Sequence, residues 1–176
     1  MIVDVTAGPI RQRPDAIVLL PRAYLMMSLL LLAQFLLGMA VNLFVTIPAH
    51  HPGAHPTTYF LGSAQSIGWA TPHGGVWLAA HVSLGLALVL GGIVTIVLAT
   101  RSGSRVAIGT SVLGGASILG AAFNGASFLE FNQDYSSMIM AGLFAVAVSS
   151  YLVGAATPSL RGTTAATPHN GAPRQP

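Results

Sequence analysis

Hydrophobic residues along this chain gather into four long runs separated by more polar stretches. The runs cover residues 23–47, 75–100, 106–129 and 137–156. Each is close to the ~20 residues that a helix needs to cross about 30 Å of hydrocarbon. The pattern predicts an all-α membrane protein with a four-helix transmembrane bundle over residues 23–156. An N-terminal segment, 1–22, is expected before the bundle and a disordered tail, 157–176, after it.

The composition agrees with a membrane location. Of the 176 residues, 53% are hydrophobic and only 6% are charged, whereas a soluble domain carries about 25% charged residues. The chain has no cysteine, which excludes disulfides, thiolate metal sites and iron–sulfur clusters. Its arginines are scattered and form no basic, aromatic patch of the kind that binds nucleic acid. The expected partners are therefore the lipid bilayer and other membrane subunits or further copies of this chain.

The positions of the arginines predict the orientation. They stand before the first run, between the second and third runs and after the fourth, and the chain has no lysine. By the positive-inside rule, both termini are expected in the cytoplasm (N-in/C-in), with a long extracytoplasmic loop between the first two spans. Arginine without lysine in an alanine- and glycine-rich chain is typical of a GC-rich bacterial genome. The predicted location is the bacterial cytoplasmic (inner) membrane.

Small residues predict how the helices pack. In the third run Ser117, Ala121 and Gly125 are spaced four apart, and the fourth run repeats that spacing. Because lipid tails are as apolar as leucine, close approach through small residues stabilises helix pairs in membranes. We expect runs two to four to form the tight part of the bundle. The first run, rich in Leu, Met and Phe, is expected to face more lipid.

His81 is the histidine that lies within an apolar run. Asn42, His81 and Asn124 each stand five or six residues from the extracytoplasmic end of their runs, which corresponds to a depth of ~7–10 Å. We therefore predict a structural polar layer in the outer leaflet. Either His81 is a neutral imidazole hydrogen-bonded to Asn42 or Asn124, or it belongs to a functional site, since intramembrane ionisable residues are candidates for one.

The long loop is rich in histidine. A copper or zinc site is one hypothesis, because neutral imidazole binds both metals. Its candidate ligands are His50, His51, His55, His73 and Glu130. Glu130 has two other interpretations, either solvation or pairing with a protonated histidine. A haem at His81 is the other cofactor hypothesis, with a second ligand from the loop histidines or from Met138 or Met140.

Two functions remain open. No serine stands in a G-x-S-x-G context and no paired carboxylates occur within a run, so the sequence does not favour an enzyme. The first hypothesis is a small accessory or assembly component of a larger membrane complex, such as a respiratory one. The alternative is a redox or metal-handling membrane protein with a histidine-based haem or Cu/Zn site at the extracytoplasmic face.

Overall fold

The computed structural model describes residues 14–133 and 135–157. This part of the chain contains the helices α1 (Pro14–Phe44), α2 (Tyr59–His73), α3 (Gly75–Ser102), α4 (Arg105–Phe131) and α5 (Tyr135–Ala156), and no strand. Helices α1, α3, α4 and α5 are long and apolar enough to cross a membrane. The all-helical prediction and its four candidate spans are confirmed.

Helix α1 starts earlier than the first apolar run predicts. It begins at Pro14, inside the segment expected to precede the bundle, and its apolar part begins at Leu19. Proline fits the first turn of a helix, where its missing N–H has no intrahelical partner. The apolar residues 16–20 then continue the helix into the span. The predicted disordered tail lies outside the described residues from position 158 onward.

Helix α2 occupies the second half of the loop between the first two spans. Gly62, Ser66 and Ala70 form its buried face, and it contacts α3 and α4. The preceding connection, residues 45–58, lies against this helix at Gly53. Gly53 has a φ of 91°, and a Cβ there would lie 2.4 Å from the Gly62 carbonyl oxygen. Only glycine satisfies both the backbone conformation and the close approach.

The four long helices form a closed ring. Helix α1 packs on α3 and α5, and α4 packs on the same two helices. A Cβ at Gly91 would lie 2.6 Å from Met27 Sδ, and one at Gly154 would lie 2.6 Å from Tyr24 Cε2. Side chains of α1 thus fill glycine notches in both of its neighbours. The expectation that the first span lies outside the tight part of the bundle is wrong.

The turn between α3 and α4 is tight, as the sequence predicts. Gly103 adopts a left-handed conformation with φ 71°, and Ser104 Oγ accepts a hydrogen bond from the Ala107 N–H at 3.3 Å. The turn places Arg101 and Arg105 at the same end of the ring as the start of the apolar part of α1. We call this the arginine end, and the opposite end, covered by α2 and residues 45–58, the histidine end.

A buried polar cluster joins the helices at the arginine end. The Tyr24 hydroxyl donates to the Ala107 carbonyl at 2.9 Å and lies 2.8 Å from Ser111 Oγ. The Tyr151 hydroxyl lies 3.4 Å from Thr95 Oγ1. Both tyrosine side chains are completely buried. We call Tyr24, Thr95, Ser111 and Tyr151 the tyrosine cluster, which brings together residues from all four long helices.

Candidate functional site

A cavity of about 220 Å³ lies within the ring, in the half nearest the histidine end. It is partly open, and all five helices contribute to its wall. The wall is mostly apolar, and none of the described residues that form it is Asp, Glu, Lys or Arg. Representative lining residues are Gln34, Phe35, Gly38, His81, Met140 and Phe144. An apolar cavity with a few polar groups is the usual form of a small-molecule site.

Gln34 of α1 holds His81 of α3 in a defined state. The Gln34 Nε2 donates to the His81 carbonyl oxygen at 3.0 Å and lies 3.3 Å from His81 Nε2. Because the amide nitrogen is a donor, the ring Nε2 must accept. A neutral His81 therefore carries its proton on Nδ1.

The same two side chains each retain an unused polar atom. His81 Nδ1 and Gln34 Oε1 are buried and have no hydrogen-bond partner among the described residues. Gly38 lies beside the imidazole, and a Cβ there would approach His81 Cε1 to 3.2 Å. Most buried polar side-chain atoms in proteins have a partner. The pair thus leaves one buried donor, Nδ1–H, and one buried acceptor, Oε1, without a partner, and both residues belong to the wall of the cavity.

The partner of His81 differs from the predicted one. His81 bonds to Gln34, whereas the sequence pointed to Asn42 or Asn124. Asn42 lines the same cavity as His81, but Asn124 is not part of its wall. A single polar layer formed by Asn42, His81 and Asn124 stays a prediction. Sequence reasoning missed Gln34 because it lies deeper along its span, and its polarity within an apolar run was the available signal.

Glu130 lies at the histidine end, in the last turn of α4. Its side chain is only 1% exposed, so the solvated interpretation is wrong. One carboxylate oxygen, Oε1, accepts a hydrogen bond from the Ser63 hydroxyl of α2. The other, Oε2, is buried without a partner among the described residues. The carboxylate is therefore a contact between α2 and α4.

The loop histidines attach the connection to the end of α4. The His51 ring stacks on Trp69 with centroids 4.4 Å apart, and its Nε2 lies 3.0 Å from the Leu129 carbonyl oxygen. The His55 backbone N–H donates to the Glu130 carbonyl oxygen at 3.0 Å. His50 and His73 are exposed. These contacts give the connection a fixed course over the histidine end.

The positions of the candidate ligands can be compared with the metal-site and haem hypotheses. Across residues 14–133 and 135–157, no three His, Cys, Asp or Glu side chains come together as metal ligands would. A metal site built from His50, His51, His55, His73 and Glu130 stays a prediction. For a haem, Met140 and His81 line the same cavity, whereas Met138 is 75% exposed.

Comparison with known proteins identifies no relative of this chain. No protein-family model, curated protein sequence or solved structure matches the chain.

Proposed function

We propose that this protein binds a lipid-like, largely apolar molecule inside its transmembrane bundle, with His81 and Gln34 as the residues that contact the molecule's polar group. The observation that carries the proposal is an uncharged, mostly apolar cavity whose wall contains the hydrogen-bonded His81–Gln34 pair. Leaving buried polar atoms unpaired costs about 1–3 kcal/mol each. A ligand polar group that reached either unpaired atom of this pair would recover part of that free energy on binding.

The size of the cavity supports a small part of a ligand rather than a whole lipid. An engineered cavity of about 150 Å³ binds benzene, and this one measures about 220 Å³. One substituted ring or a short chain segment fits that volume. The cavity is partly open, so a longer apolar tail can extend from it.

Filling the cavity tests the proposal. Ala141 lines it, whereas a Cβ added at the next residue, Gly142, would meet no atom within 4 Å. We expect a molecule that co-purifies with the wild-type protein from its native membrane to be reduced several-fold in Ala141→Phe and retained in Gly142→Phe. Mass spectrometry of organic extracts, compared with bulk membrane lipids, measures this. Equal retention in the two variants would refute a ligand in the cavity.

As the setting for this activity we propose an accessory role in a larger membrane complex. Support comes from large apolar side chains that project outward at the histidine end, among them Phe60 and Val76, which are 72% and 74% exposed. A neighbouring subunit or the membrane interface would cover them. Partner subunits should then co-purify in mild detergent, and recovery of the chain alone at native expression would contradict the role. A Soret band or stoichiometric copper or zinc in the same preparation would favour the redox or metal-handling alternative.

For the location we propose a bacterial inner membrane with the arginine end in the cytoplasm. The support is the placement of Arg22, Arg101 and Arg105 at one end of the bundle, because positively charged loops remain cytoplasmic. We expect a periplasmic reporter fused after Ala54 to be active and the same reporter fused after Gly103 to be inactive. The opposite result would reverse the orientation.

A further inference from the structure

We infer that the first turn of α2 lies in the membrane leaflet at the histidine end, where its apolar surface contacts lipid acyl chains. The inference concerns the outer surface of the protein and is independent of the cavity ligand proposed above. The Tyr59 hydroxyl donates to the Phe123 carbonyl oxygen at 2.8 Å and lies 3.1 Å from Ser127 Oγ. Phe123 stands eight residues before the end of α4 at Phe131, or about 12 Å along the helix. The first turn of α2 therefore packs beside α4 and not above its end.

The depth of this contact follows from the length of α4. Phe123 is 18 residues along the helix from Arg105, a rise of about 27 Å. The charged Arg105 belongs outside the hydrocarbon, which is about 30 Å thick. Phe123 therefore lies inside the hydrocarbon, close to its boundary at the histidine end. The Tyr59 hydroxyl that bonds to it reaches the same depth.

The exposed surface of α2 continues the lipid-facing surface of α4. The rings of Phe60 and Phe123 meet edge-on with centroids 6.5 Å apart, and the Tyr59 ring lies against both. Phe123 is 45% exposed within a membrane span, and Phe60 and Leu61 are 72% and 58% exposed beside it. Because the outer surface of the span faces lipid, lipid also covers the apolar side chains that extend it.

The composition of α2 agrees with lipid rather than water around its start. None of its 15 residues is Asp, Glu, Lys or Arg, whereas about a quarter of the residues in soluble domains are charged. A helix that faces water carries charged or polar residues on its outward side, but the outward side of the first turn consists of Phe60 and Leu61. Tyr59, with an apolar ring and a hydroxyl, is typical of the boundary between hydrocarbon and head groups.

Spin-label accessibility tests the inference, because the chain has no cysteine and one introduced cysteine is labelled uniquely. The variants are Phe60→Cys, Phe123→Cys as the lipid reference, and His50→Cys, at an exposed position of the connection, as the water reference. Power-saturation EPR of the full-length protein in lipid nanodiscs compares collisions with oxygen, which concentrates in hydrocarbon, and with a water-soluble nickel chelate. We expect the oxygen-to-nickel ratio at position 60 to match that at 123 and to exceed that at 50 several-fold. Leu61→Cys gives a second measurement on the same surface, and thermal unfolding shows that each variant is folded.

Three results would overturn the inference. A ratio at positions 60 and 61 equal to that at position 50 would show that this surface faces water. Few collisions with either reagent would show that a second copy of the chain covers it. In native membranes, Phe60→benzoylphenylalanine should form lipid adducts on irradiation, detected by mass spectrometry, whereas a protein adduct in their place would show that a neighbouring subunit covers it. All three leave the cavity ligand untouched, since Phe60 does not line the cavity.

Discussion

Gly114→Leu is expected to destabilise the bundle by about 3 kcal/mol or more, because even smaller additions to a packed core cost about 1–3 kcal/mol. A Cβ at this position of α4 would lie 2.8 Å from Tyr151 Cζ and 3.1 Å from both Cε atoms of that ring. Tyr151 is completely buried and faces Tyr24 with ring centroids 5.7 Å apart. Because the ring is buried between Gly114 and Tyr24, we expect α4 and α5 to separate to admit the leucine.

The same helix provides a matched control for this change. Gly109 lies on α4, and a Cβ added there would meet no atom within 4 Å. Gly109→Leu should be as stable as the wild type or slightly more so, since leucine has the higher helix propensity. Unfolding by SDS titration in mild detergent, followed by tryptophan fluorescence, measures the difference. Equal stability of the two variants would show that α4 and α5 do not pack as described.

The spans could be predicted from the sequence, but the packing of α1 could not. Four runs of sufficient length give four helices because backbone groups in hydrocarbon must be hydrogen-bonded within the segment. In a membrane, however, a leucine that faces lipid and one that faces a neighbouring helix have the same polarity. The pattern along α1 therefore contained no signal that Tyr24 and Met27 would fill notches at Gly154 and Gly91.

The candidate site was also predictable only in part from the sequence. His81 was identifiable because an ionisable residue in an apolar run is costly. The pairing of His81 with Gln34 depends on how far α1 and α3 are shifted along their axes relative to each other. That shift is set by the connection and α2, which lie between them in the chain. The burial of Glu130 under Ser63 depends on α2 packing over the end of α4. The Pro-, Gly- and His-rich residues before α2 gave no periodic pattern from which that packing could be inferred.

The second large loss of stability is expected from a substitution in the tyrosine cluster. Tyr24 is completely buried, and its hydroxyl contacts the Ala107 carbonyl and Ser111 on α4. Tyr24→Ala removes the ring from the notch at Gly154 together with these hydrogen bonds. Truncating a large aromatic side chain in a core costs about 3–5 kcal/mol. We therefore expect α1 to detach from α5 in this variant.

One further variant separates the contributions of packing and hydrogen bonding to this loss, and a second is a lipid-facing control. Tyr24→Phe keeps the ring and removes only the hydroxyl, so it should lose about 0.6 kcal/mol and no more than about 1.7, the range for hydrogen bonds between transmembrane helices. Leu25→Ala changes the adjacent residue, which is 56% exposed on the outer surface of the bundle, and should change stability little because lipid replaces the lost contacts. The same SDS titration measures all three variants. If Tyr24→Ala were no more destabilising than Leu25→Ala, α1 would be a lipid-facing helix after all, since only a side chain packed between helices can make the larger difference.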